Sequence, residues 1–168
     1  MHTLSAALAV VLCTAAGLLK AKGAEAGRTN VRSFLSDIRS LSAQMDFTSE
    51  TIEVCIGKMH KSSAAEIFWS DMQKSLSAGK TCEEAWDEAY ARSKELFSAY
   101  DEDETAELFA FFSSLGKSDK ETERQKADLL CAMLEKAQAR TEDEAKRSAR
   151  LWKSLGALIG VGLAIIII

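Results

Sequence analysis

Apolar side chains recur at spacings of three and four residues through the middle of this chain, and they run almost without interruption at its two ends. Residues 1–19, MHTLSAALAVVLCTAAGLL, contain no charged side chain. As helix they would extend roughly 28 Å, close to the thickness of a hydrocarbon core. Residues 151–168, LWKSLGALIGVGLAIIII, contain one, Lys153. They would extend roughly 27 Å with that ammonium reaching back to the interface, where the Trp152 ring is also favoured. Both runs predict transmembrane helices.

Between them the pattern is that of one-sided helices with their punctuation. Asn30 can cap a helix whose apolar face is Val31, Leu35, Ile38, Leu41 and Met45. A second helix carries Ile52, Cys55, Ile56 and Met59 after a cap at Thr48 or Ser49. A third, after Ser62 or Ser63, carries Ile67, Phe68, Met72 and Leu76 and ends at Gly79. Thr81 with Glu84 forms a capping box for a fourth, with Ala85, Trp86, Ala89, Tyr90 and Leu96 on its face. The acids Asp101 to Glu104 start a fifth, with Leu108, Phe109, Phe112 and Leu115, and Gly116 closes it. Ser118 with Glu121 is a further capping box, opening a stretch from Asp119 to Leu155 without Gly or Pro. Its first part has the face Ala127, Leu130, Cys131, Leu134 and Ala137; Gln138 to Arg150 is almost wholly polar, with a possible break at Thr141.

The predicted fold is all-α: a small bundle of about six helices between two terminal transmembrane helices. The expected layout is a transmembrane helix at 1–19, a polar stalk at 20–30, a cytoplasmic helical-bundle domain at 31–137, a polar helical stalk at 138–150 and a second transmembrane helix at 151–168. The absence of proline and the abundance of Ala, Glu, Lys, Leu and Ser fit that class.

Charge sets the orientation. Lys20, Lys22, Arg28 and Arg32 follow the first apolar run against one acid, Glu25, and Lys146, Arg147, Arg150 and Lys153 lead into the second. The positive-inside rule then puts the middle of the chain in the cytoplasm and both termini outside. A cleaved export signal needs its positive charge before the apolar run, the reverse of the order here. That rival reading would make the chain an exported or membrane-anchored helical binding protein. The net charge of −4 argues against nucleic acid as a partner. Cys13, Cys55, Cys82 and Cys131 have no metal-site spacing and read as reduced, buried small apolar residues.

Candidate chemistry is sparse. The two histidines, His2 and His60, have no ligand or nucleophile partner at useful spacing, and no phosphate loop, nucleophile elbow or zinc helix is present. No enzymatic activity, cofactor or metal is expected. Two features suggest contacts instead. Ten acids between Glu83 and Glu107 face only Arg92 and Lys94, and Glu83, Glu84, Asp87 and Glu88 are the candidate partner-binding residues for a basic protein. In the second apolar run, Gly156 and Gly160 form a GxxxG pair suited to close helix packing.

Four stretches carry a family resemblance: RTNVRSFL at 28–35, SLSAGKTCEEAW at 75–86, LGKSDKETERQ at 115–125 and RLWKSLGALIGVGLAIIII at 150–168. In this order and spacing the chain resembles the stage III sporulation protein AB family of endospore-forming bacteria. The soluble region of that family is similar to the cytoplasmic domain of the type II secretion platform protein. The resemblance implies a non-enzymatic platform or scaffold subunit of the sporulation channel complex in the outer forespore membrane, its domain facing the mother cell. Its implied partners are the other channel membrane proteins, membrane lipid and a secretion-type ATPase in the mother-cell cytoplasm.

Overall fold

The computed structural model describes the backbone of residues 2–48 and 50–167, and the side chains of 22–48, 50–152 and 155. The described residues form six α-helices and one 3₁₀ turn, with no strand: α1 (His2–Phe47), α2 (Ile52–Lys58), the 3₁₀ turn Ser63–Ala65, α3 (Glu66–Ser77), α4 (Cys82–Arg92), α5 (Glu102–Ser114) and α6 (Lys120–Ile167). The all-helical bundle expected from the sequence is therefore present. Among the described residues no helix is apolar over a long enough window to cross a membrane. Most of the two terminal apolar runs, Gly156 and Gly160 included, lies outside the described side chains.

Helices α1 and α6 are continuous and run roughly 69 and 72 Å at 1.5 Å per residue. Asn30 is therefore not a cap; it lies inside α1, and its Nδ2 donates to the Glu95 carbonyl at 3.3 Å. Thr141 does not interrupt α6 either. It is buried, and its hydroxyl donates back to the Ala137 and Gln138 carbonyls at 3.0 Å, so the helix itself satisfies the polar group that suggested a start. The last helix begins one residue later than Ser118 would set. Asp119 accepts the Thr122 N–H at 3.1 Å and its hydroxyl at 2.6 Å, and this holds the Asp119 carboxyl below its usual range.

The two long helices lie antiparallel. Lys120 donates to the Asp46 carbonyl at 2.9 Å and Arg39 pairs with Glu135 at 2.6 Å; the Glu142 carboxyl of α6, held below its usual range chiefly by the hydrogen bond from Gln138, is also favoured in its charged form by Lys146 and by Arg28 and Arg32 of α1. Four short helices are inserted at the turn and close the core against one side of this pair. Small residues permit the approach at the other end: a Cβ on Gly27 would sit 3.0 Å from the Ala99 Cβ. Gly79 and Gly116, at φ 83° and 76°, end α3 and the α5 segment as the sequence predicts.

The core is aromatic. Phe68 stands edge-on to Phe34, Trp86 and Phe97, with centroids 5.5, 5.4 and 5.3 Å away. Phe34 stacks on Trp69 at 5.6 Å, and Trp86 stacks on Phe112 at 4.7 Å. Two helical faces are rotated from their predicted positions: Trp69 is buried while Ile67 is 68% exposed, and Phe111 is buried while Phe109 is 37% exposed. Helix α4 stops at Arg92, and residues 93–100 form successive turns that bury Leu96, Phe97 and Tyr100. One charged group lies at the centre of α1. Asp37 is fully buried and accepts from the Ser62 N–H, the Ser62 hydroxyl and Trp69 Nε1, each at 2.8 Å.

Candidate functional site

The four acids singled out in the sequence start α4, and their spacing separates them in role. Glu84 belongs to the helix terminus: it accepts the Thr81 N–H at 2.9 Å while Thr81 Oγ1 accepts the Glu84 N–H at 3.2 Å. That completes the predicted capping box, and the hydrogen bond from the Thr81 backbone holds the Glu84 carboxyl below its usual range. Glu88, one helical turn on, faces α3; Lys80 and the Ser75 hydroxyl both donate to it, and Lys80 is the larger cause of its lowered pKa. Glu83 points toward the start of α6 and pairs with Lys117 at 3.7 Å, both side chains being exposed. Asp87 is exposed and makes no hydrogen bond or ion pair among the described residues. Three of the four are thus engaged within the domain, and Asp87 alone keeps its carboxylate open.

The structure joins Asp87 to residues that the sequence reading left apart. Asp87, Asp101 and Glu102 border a groove of about 580 Å³ between α4, the 93–100 turns and α5. Trp86, Tyr90 and Phe109 contribute rings to it. Trp86 was expected in the core and is there, with Tyr90 stacked on it at 5.7 Å. The aromatic wall carried a signal in the sequence. Tyr90, Phe97, Tyr100 and Phe109 alternate with the acids, a mixture that a merely solvated acidic face does not need.

The groove is held from behind. Asp101 caps α5 through the Glu104 N–H at 2.8 Å, and Glu104 reciprocates to the Asp101 N–H at 3.0 Å. Arg140 of α6 then donates to Glu104 at 2.6 Å and to the Ala99 carbonyl at 3.0 Å. The Tyr100 ring lines the wall, and its buried hydroxyl has no hydrogen-bond partner. Burial, then the nearby Glu104 charge, push that hydroxyl's pKa far up, so it stays neutral.

Family comparison decides which chain this is. The profile of stage III sporulation protein AB matches residues 2–168, essentially end to end. The chain belongs to the stage III sporulation protein AB family. No curated protein and no solved structure matches it. In this stage III sporulation protein AB family member, Cys55 is buried, Cys82 and Cys131 are half-buried, and all three are free thiols. Burial is the main cause that pushes the Cys82 and Cys131 thiols up. His60 is exposed, and its backbone N–H donates to Ser40 Oγ at 2.9 Å. Among the described residues, no group of three or more His, Cys, Asp or Glu side chains could hold a metal ion.

Proposed function

We propose that this sporulation protein is a non-enzymatic membrane platform subunit of the sporulation channel complex, coupling a cytoplasmic secretion-type ATPase to the membrane machinery. The observation that carries the reading is the antiparallel pairing of two uninterrupted helices, with Arg39 on Glu135 and Lys120 on Asp46. In this arrangement both apolar runs leave the bundle at one end, next to Lys22, Arg28, Arg32, Arg147 and Arg150, so the helical domain becomes a rigid extension of a membrane hairpin. The short helices α2 to α5 and the turns between them pack along the charged part of this pair, from Asn30 and Arg140 near the apolar runs to Asp37 farther along α1, and present their outer faces to a cytoplasmic partner. By the family resemblance the membrane is the outer forespore membrane and the domain faces the mother cell.

The test uses the full chain, reconstituted in nanodiscs, and the purified ATPase of the complex. Co-purification of the two, together with protection of both termini and accessibility of the 93–100 turns in inside-out vesicles, is the expected result. Failure of a folded, inserted chain to retain the ATPase rejects the coupling role. A mature chain starting near Ala24 instead of Met1 rejects the hairpin.

A further inference from the structure

The acidic strip consists of two chemically different parts. Glu83, Glu84, Glu88 and Glu104 are matched within the domain by Lys117, Thr81, Lys80 and Arg140. Asp87 and Glu102 are exposed and have no such match, and Asp101 uses one oxygen for its cap and leaves the other open. These three carboxylates, against the single ammonium of Lys94, surround the aromatic groove described above. Their spacing does not suit an ion, since no three of them come together as metal ligands among the described residues. The open carboxylates favour cations, the half-buried Tyr90 ring and the exposed Phe109 ring favour apolar or planar groups, and the negative rim repels nucleic acid and acidic peptides.

One polar atom in the wall is unmatched. Tyr100 is only 8% exposed, yet its hydroxyl lacks a hydrogen-bond partner among the described residues. The wall is otherwise well anchored by Arg140 on Ala99 and Asn30 on Glu95, so the mismatch does not come from a loose segment.

We propose that this groove docks a basic segment of the partner ATPase. An arginine or lysine of that segment lies over the Tyr90 ring and pairs with Asp87 and Glu102, and a neighbouring apolar side chain covers Phe109. Guanidinium stacking on an aromatic face beside carboxylates combines cation–π attraction with charge-assisted hydrogen bonds. The proposal rests on the platform reading only for the source of the segment; the chemistry of the groove is independent of it.

The experiment is a fluorescence anisotropy titration of full-length protein in phosphatidylcholine nanodiscs. The probe is a labelled ten-residue peptide of alternating arginine and serine with one central leucine. Saturable binding is expected, weakening as salt is raised. It should fall about tenfold or more in Asp87→Lys/Glu102→Lys and in Tyr90→Ala, and less steeply in the milder Asp87→Asn/Glu102→Gln. It should be unchanged in Glu83→Gln and absent for a peptide with glutamate in place of arginine. Absence of saturable binding, or equal binding by the groove variants, overturns the proposal. The same variants are then assayed with the ATPase. An ATPase that binds wild type and groove variants alike refutes the ATPase as occupant while leaving the platform reading intact. Groove-dependent peptide binding with no ATPase binding to wild type removes the platform reading and leaves the groove as a basic-segment site.

Discussion

Replacing Asp37 by alanine should be among the most destabilising single changes in the domain. The carboxylate is fully buried on α1 and accepts three hydrogen bonds of 2.8 Å, two from Ser62 ahead of the 3₁₀ turn and one from Trp69 Nε1 on α3. Each bond to a charged acceptor contributes about 1.5–3 kcal/mol, but the contributions are not additive because burial of the carboxylate opposes them. In Asp37→Ala the Ser62 N–H and Trp69 Nε1–H lose their acceptor, while the Ser62 hydroxyl can turn elsewhere. The expected cost is about 3–5 kcal/mol. In Trp69→Phe the carboxylate keeps two donors, and the expected cost is about 1.5–3 kcal/mol. The double variant should then show a coupling of about 1.5–3 kcal/mol, because the second change removes a bond already lost. Urea unfolding of the full chain, followed by far-ultraviolet circular dichroism so that loss of the Trp69 ring does not change the signal, measures all four corners of the cycle. An Asp37→Ala protein within about 0.5 kcal/mol of wild type, or additive single changes, would refute the idea that this buried carboxylate fastens α3 to α1.

Arg140→Ala should release the 93–100 turns by removing the bonds to Ala99 and Glu104, at a cost of about 1–3 kcal/mol. Amide exchange should accelerate at 93–100 and leave the α3 amides unchanged; uniform exchange across the domain would contradict it. Gly27→Leu should cost about 1–3 kcal/mol by overpacking against Ala99, read as a lowered unfolding midpoint, whereas Gly23→Leu should be close to neutral because nothing lies within 4 Å. The third concerns acid. Glu84, Glu88 and Asp119 have folded-state pKa values below their ordinary ones, so the folded state binds fewer protons than the unfolded. Their contribution is complete above the ordinary carboxylate range and is lost as pH falls through the folded values. The melting temperature should therefore drop between about pH 5 and pH 3, and a Glu84→Gln/Glu88→Gln protein should show a shallower drop. An unchanged slope in that variant would mean the caps carry no pH-dependent stability.

The sequence by itself determined the class of the fold, the placing of most helices and the family. Periodicity suffices for these because an amphipathic helix must bury one face wherever it packs, and because the Thr81 and Asp101 caps act within three residues of their partners. Local signals also misled where the same residue serves two ends. Asn30, Thr141 and Ser118 have the chemistry of helix starts, and long-range packing gave two of them another role: α1 and α6 gain more from continuous burial against each other than from a break.

The site was legible only in part. The acids were visible as a strip, but which of them stay open depends on Lys117, Lys80 and Arg140, residues between 8 and 36 positions away from the acids they meet. The choice of Glu83, Glu84 and Glu88 as contacts could not register the partners that the fold brings to each of them, Lys117, Thr81 and Lys80. Rotation of α3 and α5 by about one residue, which buries Trp69 and Phe111 and exposes Phe109, is likewise a property of the assembled core. Aromatic rings lock together by shape, and the position of Phe68 among Phe34, Trp86 and Phe97 fixes how each neighbouring helix must turn. The buried Asp37 latch is the clearest case. A lone carboxylate on an apolar helix face looks unfavourable in one dimension, and only the fold brings Ser62 and Trp69 to it. Short-range chemistry is written in neighbouring residues, whereas the pairing of charges and the facing of helices are decided by contacts that exist only once the chain has closed on itself.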